Sequence, residues 1–267
     1  MLRKRISRGG SGIHPGGGRG ISLDFHGHSP YSCGDDIRQI DWKAYARTEK
    51  LYLKEFSEER QAAVRLLLDS SASMDFGSPA KWDYALKLSL GLAYLALKQG
   101  DRLSFYTAGH RLGVLKENVA GMGHFYDILK LIPLIKPAGA TEQQAFGNTG
   151  AYGPGITFIL SDFFGLDAAA LLDRFCSAGQ QVLALQVLSP QELEPPPGEE
   201  LKLVDAETGR VKRIHFTAGA RRRYIEKAGR FLAETREHCV RRGASYVFAG
   251  TSADPARILK QALEVGR

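Results

Sequence analysis

Short apolar runs alternate with longer amphipathic stretches from Val64 to the end of the chain. The first run, Val64 to Leu68, closes on Asp69 and a small polar loop, Ser70-Ser71-Ala72-Ser73-Met74. An amphipathic segment from Lys81 to Lys98 follows, starting near Pro79-Ala80. It carries Leu86, Leu90, Ala93 and Leu97 on one stripe and stops at Gly100. Apolar run, polar loop and helix is how a buried parallel strand delivers side chains to the carboxyl edge of an α/β sheet. The pattern recurs. Leu103 to Thr107, Ile156 to Leu160, Val182 to Leu188 and Tyr246 to Ala249 read as strands, with Arg111 to Leu115 beside the first of them. Phe125 to Ile135, Asp167 to Ala178, Ala218 to Arg242 and Asp254 to Val265 read as helices. The first is stopped near Pro137, and the third is capped by Thr217. Leu201 to Asp205 and Arg210 to Phe216 flank Glu207-Thr208-Gly209, a β-hairpin signal after the Pro195-Pro196-Pro197-Gly198 break. The fold class this predicts is α/β. It has a mostly parallel sheet, helices on both faces and a hairpin insertion.

The chain ahead of Val64 is different. Residues 1–20 are rich in Gly, Ser and Arg and are expected to form a flexible arm. Gly16-Gly17-Gly18 lacks the G-x-x-x-x-G-K-[ST] continuation of a nucleotide loop. Residues 21–60 interleave acids and bases around Trp42: Asp35, Asp36 and Asp41 among Arg38, Lys43 and Arg47. Such mixing predicts a structural ion-pair network that staples this segment to the main domain of residues 61–267. Leu51 to Phe56 alternates apolar and polar, as a half-exposed strand does.

Composition narrows the function classes. The chain has 267 residues, enough for a sizeable core, with 43% hydrophobic and 24% charged residues. No apolar run reaches the roughly 18 residues of a membrane span. Cys33, Cys176 and Cys239 lie far apart without C-x-x-C spacing. That argues against a disulfide framework or a zinc site and suits a reducing cytoplasm. A net charge of +7 is moderate. Nucleic-acid binding requires it gathered on one face, and Arg221-Arg222-Arg223 and Arg241-Arg242 instead sit near opposite ends of one expected helix.

The chemistry lies at the strand ends. Asp69, Ser71 and Ser73 form D-x-S-x-S at the close of the first strand. Asp162 closes the strand Ile156 to Leu160, and Thr141 lies in a loop expected at the same edge. Carboxylates and hydroxyls are hard oxygen donors of the kind Mg²⁺ takes while keeping several waters. The hydroxyls are expected to bind directly and the carboxylates partly through water. A site with so little formal charge keeps its ion a strong Lewis acid, open to a carboxylate from a partner. A phosphohydrolase using Asp69 and Asp162 is the alternative. It lacks the expected second acid two residues after Asp69, where Ser71 stands. Trp82 and Tyr84 are candidates for the rim of the cup or for anchoring their helix. His26 and His28 have no evident third ligand. No G-x-S-x-G elbow marks a hydrolytic triad.

Asp69-x-Ser71-x-Ser73 with Thr141 and Asp162 resembles the metal-ion-dependent adhesion site of von Willebrand factor type A domains. The flanking text is more specific. Gly34-Asp35-Asp36-x-Arg38-x-x-Asp41-Trp42-Lys43, Ala46-Arg47, Glu55-Phe56 and Asp205-Ala206-Glu207-Thr208-Gly209 resemble the bacterial domain of unknown function family 58. The resemblance runs from about Gly20 to the end. It implies a von Willebrand factor A-like fold with an added N-terminal segment, and a site holding Mg²⁺, Mn²⁺ or Ca²⁺. It also implies a non-catalytic role in protein assembly or maturation beside a MoxR-type AAA+ ATPase.

Overall fold

The computed structural model describes residues 23–58, 61–149, 153–195, 201–204, 211–214 and 217–266. The arm expected over residues 1–20, the break at Pro196-Pro197-Gly198 and the Glu207-Thr208-Gly209 turn lie outside them. The described residues form two compact units, one ending at Gln61 and one beginning at Ala62.

In the smaller unit, β1 (Leu23–Pro30) pairs antiparallel with β2 (Tyr52–Glu58). The half-exposed strand expected at Leu51 is β2; β1 is too polar to read as a strand. A 3₁₀ turn, Ile37–Gln39, and helix α1 (Trp42–Thr48) lie between them in sequence. Among the described residues, these acids hold backbone N–H groups and are not joined to Arg38, Lys43 or Arg47 as expected. Asp35 accepts from the Ser32 amide at 2.8 Å and Asp36 from the Arg38 amide at 3.0 Å. Asp41 accepts from the Lys43 and Ala44 amides at 2.9 and 3.2 Å, and its other oxygen lies 2.7 Å from His28 Nε2. The first N–H groups of a helical turn have no intrahelical acceptor, and a carboxylate one residue ahead satisfies them.

The larger unit holds β3 (Ala63–Asp69), α2 (Lys81–Lys98), β4 (Arg102–Ala108), β5 (Leu112–Val119), α3 (Gly123–Leu131) and α4 (Gln143–Gly147). It continues with β6 (Gly155–Ser161), α5 (Ala168–Ser177), β7 (Gln180–Leu188) and α6 (Pro190–Leu193). The hairpin β8 (Leu201–Val204) and β9 (Val211–Ile214) follows, then α7 (Ala218–Arg241), β10 (Ser245–Gly250) and α8 (Pro255–Val265). The main sheet has the order β10-β7-β6-β3-β4-β5. Every neighbouring pair is parallel except β4 with β5. The α/β fold expected of a von Willebrand factor A-like domain is the one observed.

The chain leaves β3 toward β4 on one side and returns to β6 on the other. The order therefore reverses at β3, and such switch points leave a crevice at the carboxyl ends of the strands. Strand β3 is central because both its faces are apolar. Leu66 and Leu68 enter the core under α2, and Leu67 enters the core under α5; none has exposed surface. Each is worth about 1.5–3 kcal/mol against exposure.

Two boundaries depart from expectation. The helix expected to run to Ile135 ends at Leu131 and becomes a 3₁₀ turn over Ile132–Leu134, because Pro133 lacks the N–H an α-helix requires. The strand expected to end at Leu115 extends to Val119 as the antiparallel edge β5, whose polar Lys116-Glu117-Asn118 end hid it. The short helices α4 and α6 were not expected.

Candidate metal centre

Strand β3 ends on Asp69, which is fully buried. Its Oδ1 accepts from the Ser71 amide at 2.9 Å, and its Oδ2 accepts from the Ser161 hydroxyl at 2.5 Å. Ser71 leads a 3₁₀ turn over Ala72–Met74, which returns Ser73 toward Ser71, Oγ to Oγ 3.0 Å. Ser73 donates to Asp162 Oδ2 at 2.7 Å, so the contact chain crosses from the end of β3 to the end of β6. Asp162 Oδ1 accepts from the Phe164 amide at 2.9 Å. Between them Phe163 sits at φ 64°, a region costly for a bulky residue. Its side chain is buried, and its amide donates to Ser161 Oγ at 2.8 Å.

The loop carrying Thr141 is tied to the same edge. The Ala138 amide donates to the Ser70 carbonyl and the Ala72 amide to the Gly139 carbonyl, both at 2.9 Å; the Glu142 amide donates to the Gly109 carbonyl at 3.1 Å. A β-carbon on Gly165, just past Asp162, would lie 3.9 Å from the Thr141 β-carbon. Gly109 permits this closeness: a β-carbon there would stand 3.1 Å from Ser70 and Ser71 backbone atoms. Direct contacts thus join Asp69, Ser71, Ser73 and Asp162, and backbone hydrogen bonds tie the Thr141 loop to the Ser70–Ala72 turn.

Two further residues belong to the cup and escaped the sequence reading. Lys81, the first residue of α2, is fully buried. Its Nζ lies 2.6 Å from Asp162 Oδ2 and 2.5 Å from Glu192 Oε1, and 5.3 Å from the centroid of the Phe164 ring. The positive end of the helix dipole disfavours a cation at that position, so a lysine there signals acids nearby. Glu192 lies on α6, where it forms a capping box with Ser189. Its Oε2 accepts from the Ser189 amide at 2.8 Å and faces the Ser189 hydroxyl at 3.1 Å. Ser189-x-x-Glu192 is a recognisable helix-start signal.

Burial, then the charge of Asp162, pushes Asp69 up to about 7 against the pull of Ser161 and Ser71. Burial also raises Glu192, opposed chiefly by Lys81. Asp162 and Glu192 share one buried ammonium and Asp69 feels the charge of Asp162, so two negative charges are in excess when all three acids are ionised. A divalent cation matches that excess, and hydroxyl and carboxylate oxygens are its preferred ligands. The residues present therefore fit the ion that the pattern implies.

Trp82 and Tyr84 are not rim residues. Both are buried in the core under α2, where they anchor the helix to the sheet. His28 pairs with Asp41, as above; the side chain of His26 is outside the described residues. Arg221 donates to the Pro195 carbonyl, Arg241 pairs with Glu237, and Arg242 with Asp173. Among the described residues, no helix is long and apolar enough to cross a membrane.

Residues 28–234 match the sequence profile described as "Protein of unknown function DUF58". The chain belongs to the DUF58 family. This member is 29% identical over 212 residues to uncharacterized proteins of Mycobacterium tuberculosis and Mycobacterium bovis, covering 76% of this chain and 67% of each relative. Among solved structures it is similar to an aerotolerance-related membrane protein from Bacteroides fragilis (14% identity, TM-score 0.47, 77% of this chain and 98% of that one). It is also similar to BatB from Bacteroides thetaiotaomicron (13%, TM-score 0.42, 76% and 97%) and to the SpRpn10 VWA domain (12%, TM-score 0.40, 76% and 95%).

Proposed function

We propose that this DUF58 chain is a non-catalytic protein-interaction module that takes a partner carboxylate through a divalent cation. Asp69, Ser71, Ser73, Thr141 and Asp162 would hold the ion, Mg²⁺ by preference, with Mn²⁺ or Ca²⁺ as substitutes. The bound ion would supply a Lewis-acidic position for an acidic side chain. The observation that carries this reading is the contact chain Asp69–Ser71–Ser73–Asp162 across the ends of two neighbouring parallel strands. Recognition suits the geometry better than hydrolysis. Asp69 is fully buried with both oxygens held by hydrogen bonds, a poor arrangement for a nucleophile. The family resemblance points to a MoxR-type AAA+ ATPase, or its client, as the partner in assembly or maturation.

The test has two parts. Calorimetric titration with Mn²⁺ should show one site in the wild type, lost in Asp69→Ala and strongly weakened in Ser73→Ala, with circular dichroism unchanged. Binding to a purified MoxR-type ATPase should then require the metal and vanish in the same variants. Metal binding indifferent to both substitutions refutes the site. Magnesium-dependent turnover of p-nitrophenyl phosphate, abolished in Asp69→Ala, would make the protein a hydrolase instead.

A further inference from the structure

We propose that Lys81 and Glu192 set the cation affinity of the cup, Lys81 as a tethered cation that competes for Asp162 and Glu192 as the acid that shares it. The inference rests on the metal site above but concerns residues outside its ligand set. Lys81 reaches the same Asp162 oxygen that takes the Ser73 hydroxyl. An ammonium there lowers the negative potential any incoming cation would feel. Glu192 takes a second N–H of the same ammonium at 2.5 Å. It adds the third acid to the cup and divides the lysine between two carboxylates. Both side chains are deeply enclosed: Lys81 has no exposed side-chain surface and Glu192 12%. Solvent screens their charges weakly, and the effect on a divalent ion is correspondingly large.

The pair has a signature that a mere structural strut lacks, because the two residues push affinity in opposite directions. Lys81→Met removes the competing charge and leaves three acids without their ammonium. Glu192→Gln removes one acid and leaves the lysine wholly to Asp162. Mn²⁺ titration of the full chain by calorimetry should show Lys81→Met binding at least about tenfold tighter than wild type, and Glu192→Gln at least about tenfold weaker. Metal-free Lys81→Met should also melt lower and recover more on adding Mn²⁺ than the wild type does. Mn²⁺ binding of equal affinity in the wild type and both variants overturns the inference and leaves the metal site standing. Absence of Mn²⁺ binding in wild type and variants alike overturns both. If Lys81→Met does not fold, Glu192→Gln decides: unchanged or tighter binding overturns the inference, and the expected weakening supports it.

Discussion

Ser161→Ala tests how Asp69 is held. Ser161 contributes two bonds at once. Its hydroxyl donates to Asp69 Oδ2 at 2.5 Å and accepts from the Phe163 amide at 2.8 Å, both in fully buried surroundings. A hydrogen bond to a charged group is worth about 1.5–3 kcal/mol, and a buried amide left without its acceptor costs about 1–3 kcal/mol more. The released Phe163 amide also anchors the residue at φ 64°, so nothing nearby relaxes easily. The expected loss is therefore about 2.5–6 kcal/mol, or a melting temperature lower by roughly 5–24 °C for a unit of this size. Chemical denaturation in urea with chelator present should show the lower midpoint with an unchanged slope. Mn²⁺ affinity should fall as well, because Asp69 loses the partner that fixes its orientation. A loss below about 1 kcal/mol, or a lower midpoint with intact Mn²⁺ affinity, would refute the claim that Ser161 positions Asp69.

Three other outcomes are expected. Trp82→Ala should destabilise by about 3–5 kcal/mol, as large core deletions do, with Mn²⁺ affinity of the folded fraction within threefold of wild type, roughly the noise of such contexts; a rim role would reverse the two effects. Gly109→Ala forces a β-carbon to 3.1 Å from the Ser70 and Ser71 backbone. It should cost about 1–3 kcal/mol and weaken metal binding through the displaced loop, measured by thermal melts and titration. Native protein treated with iodoacetamide near pH 8 should take its first label at exposed Cys33. Cys239 is buried, and desolvation raises its thiol to about 11, so it should react only after unfolding, by intact mass. Equal rates at the two cysteines would show that the core under α5 opens readily.

What could be read from the chain followed from burial. Strand β3 is covered on both faces, so it shows as an apolar run interrupted only by Arg65, and the residue after such a run sits at a sheet edge by construction. That placed Asp69 and Asp162 on one edge without any coordinates. Strand β1 (Leu23–Pro30) is polar in sequence and β5 has no buried residue, so neither carries such a signal; the first was missed and the second cut short. Capping acids were misread because a carboxylate one residue before a helical turn and a carboxylate facing a base look alike in sequence; Asp36 and Asp41 are the former. Lys81 escaped for a related reason. A lysine on an amphipathic helix is ordinarily a solvated side chain, and only the converging ends of β6 and β7 bring Asp162 and Glu192 to it. Yet its position at the first turn of α2 was unfavourable in electrostatic terms, and an unfavourable placement is itself informative. Isolated oxygen donors can be listed from a sequence. The net charge they enclose depends on which basic residue folds in among them, and here that residue is Lys81.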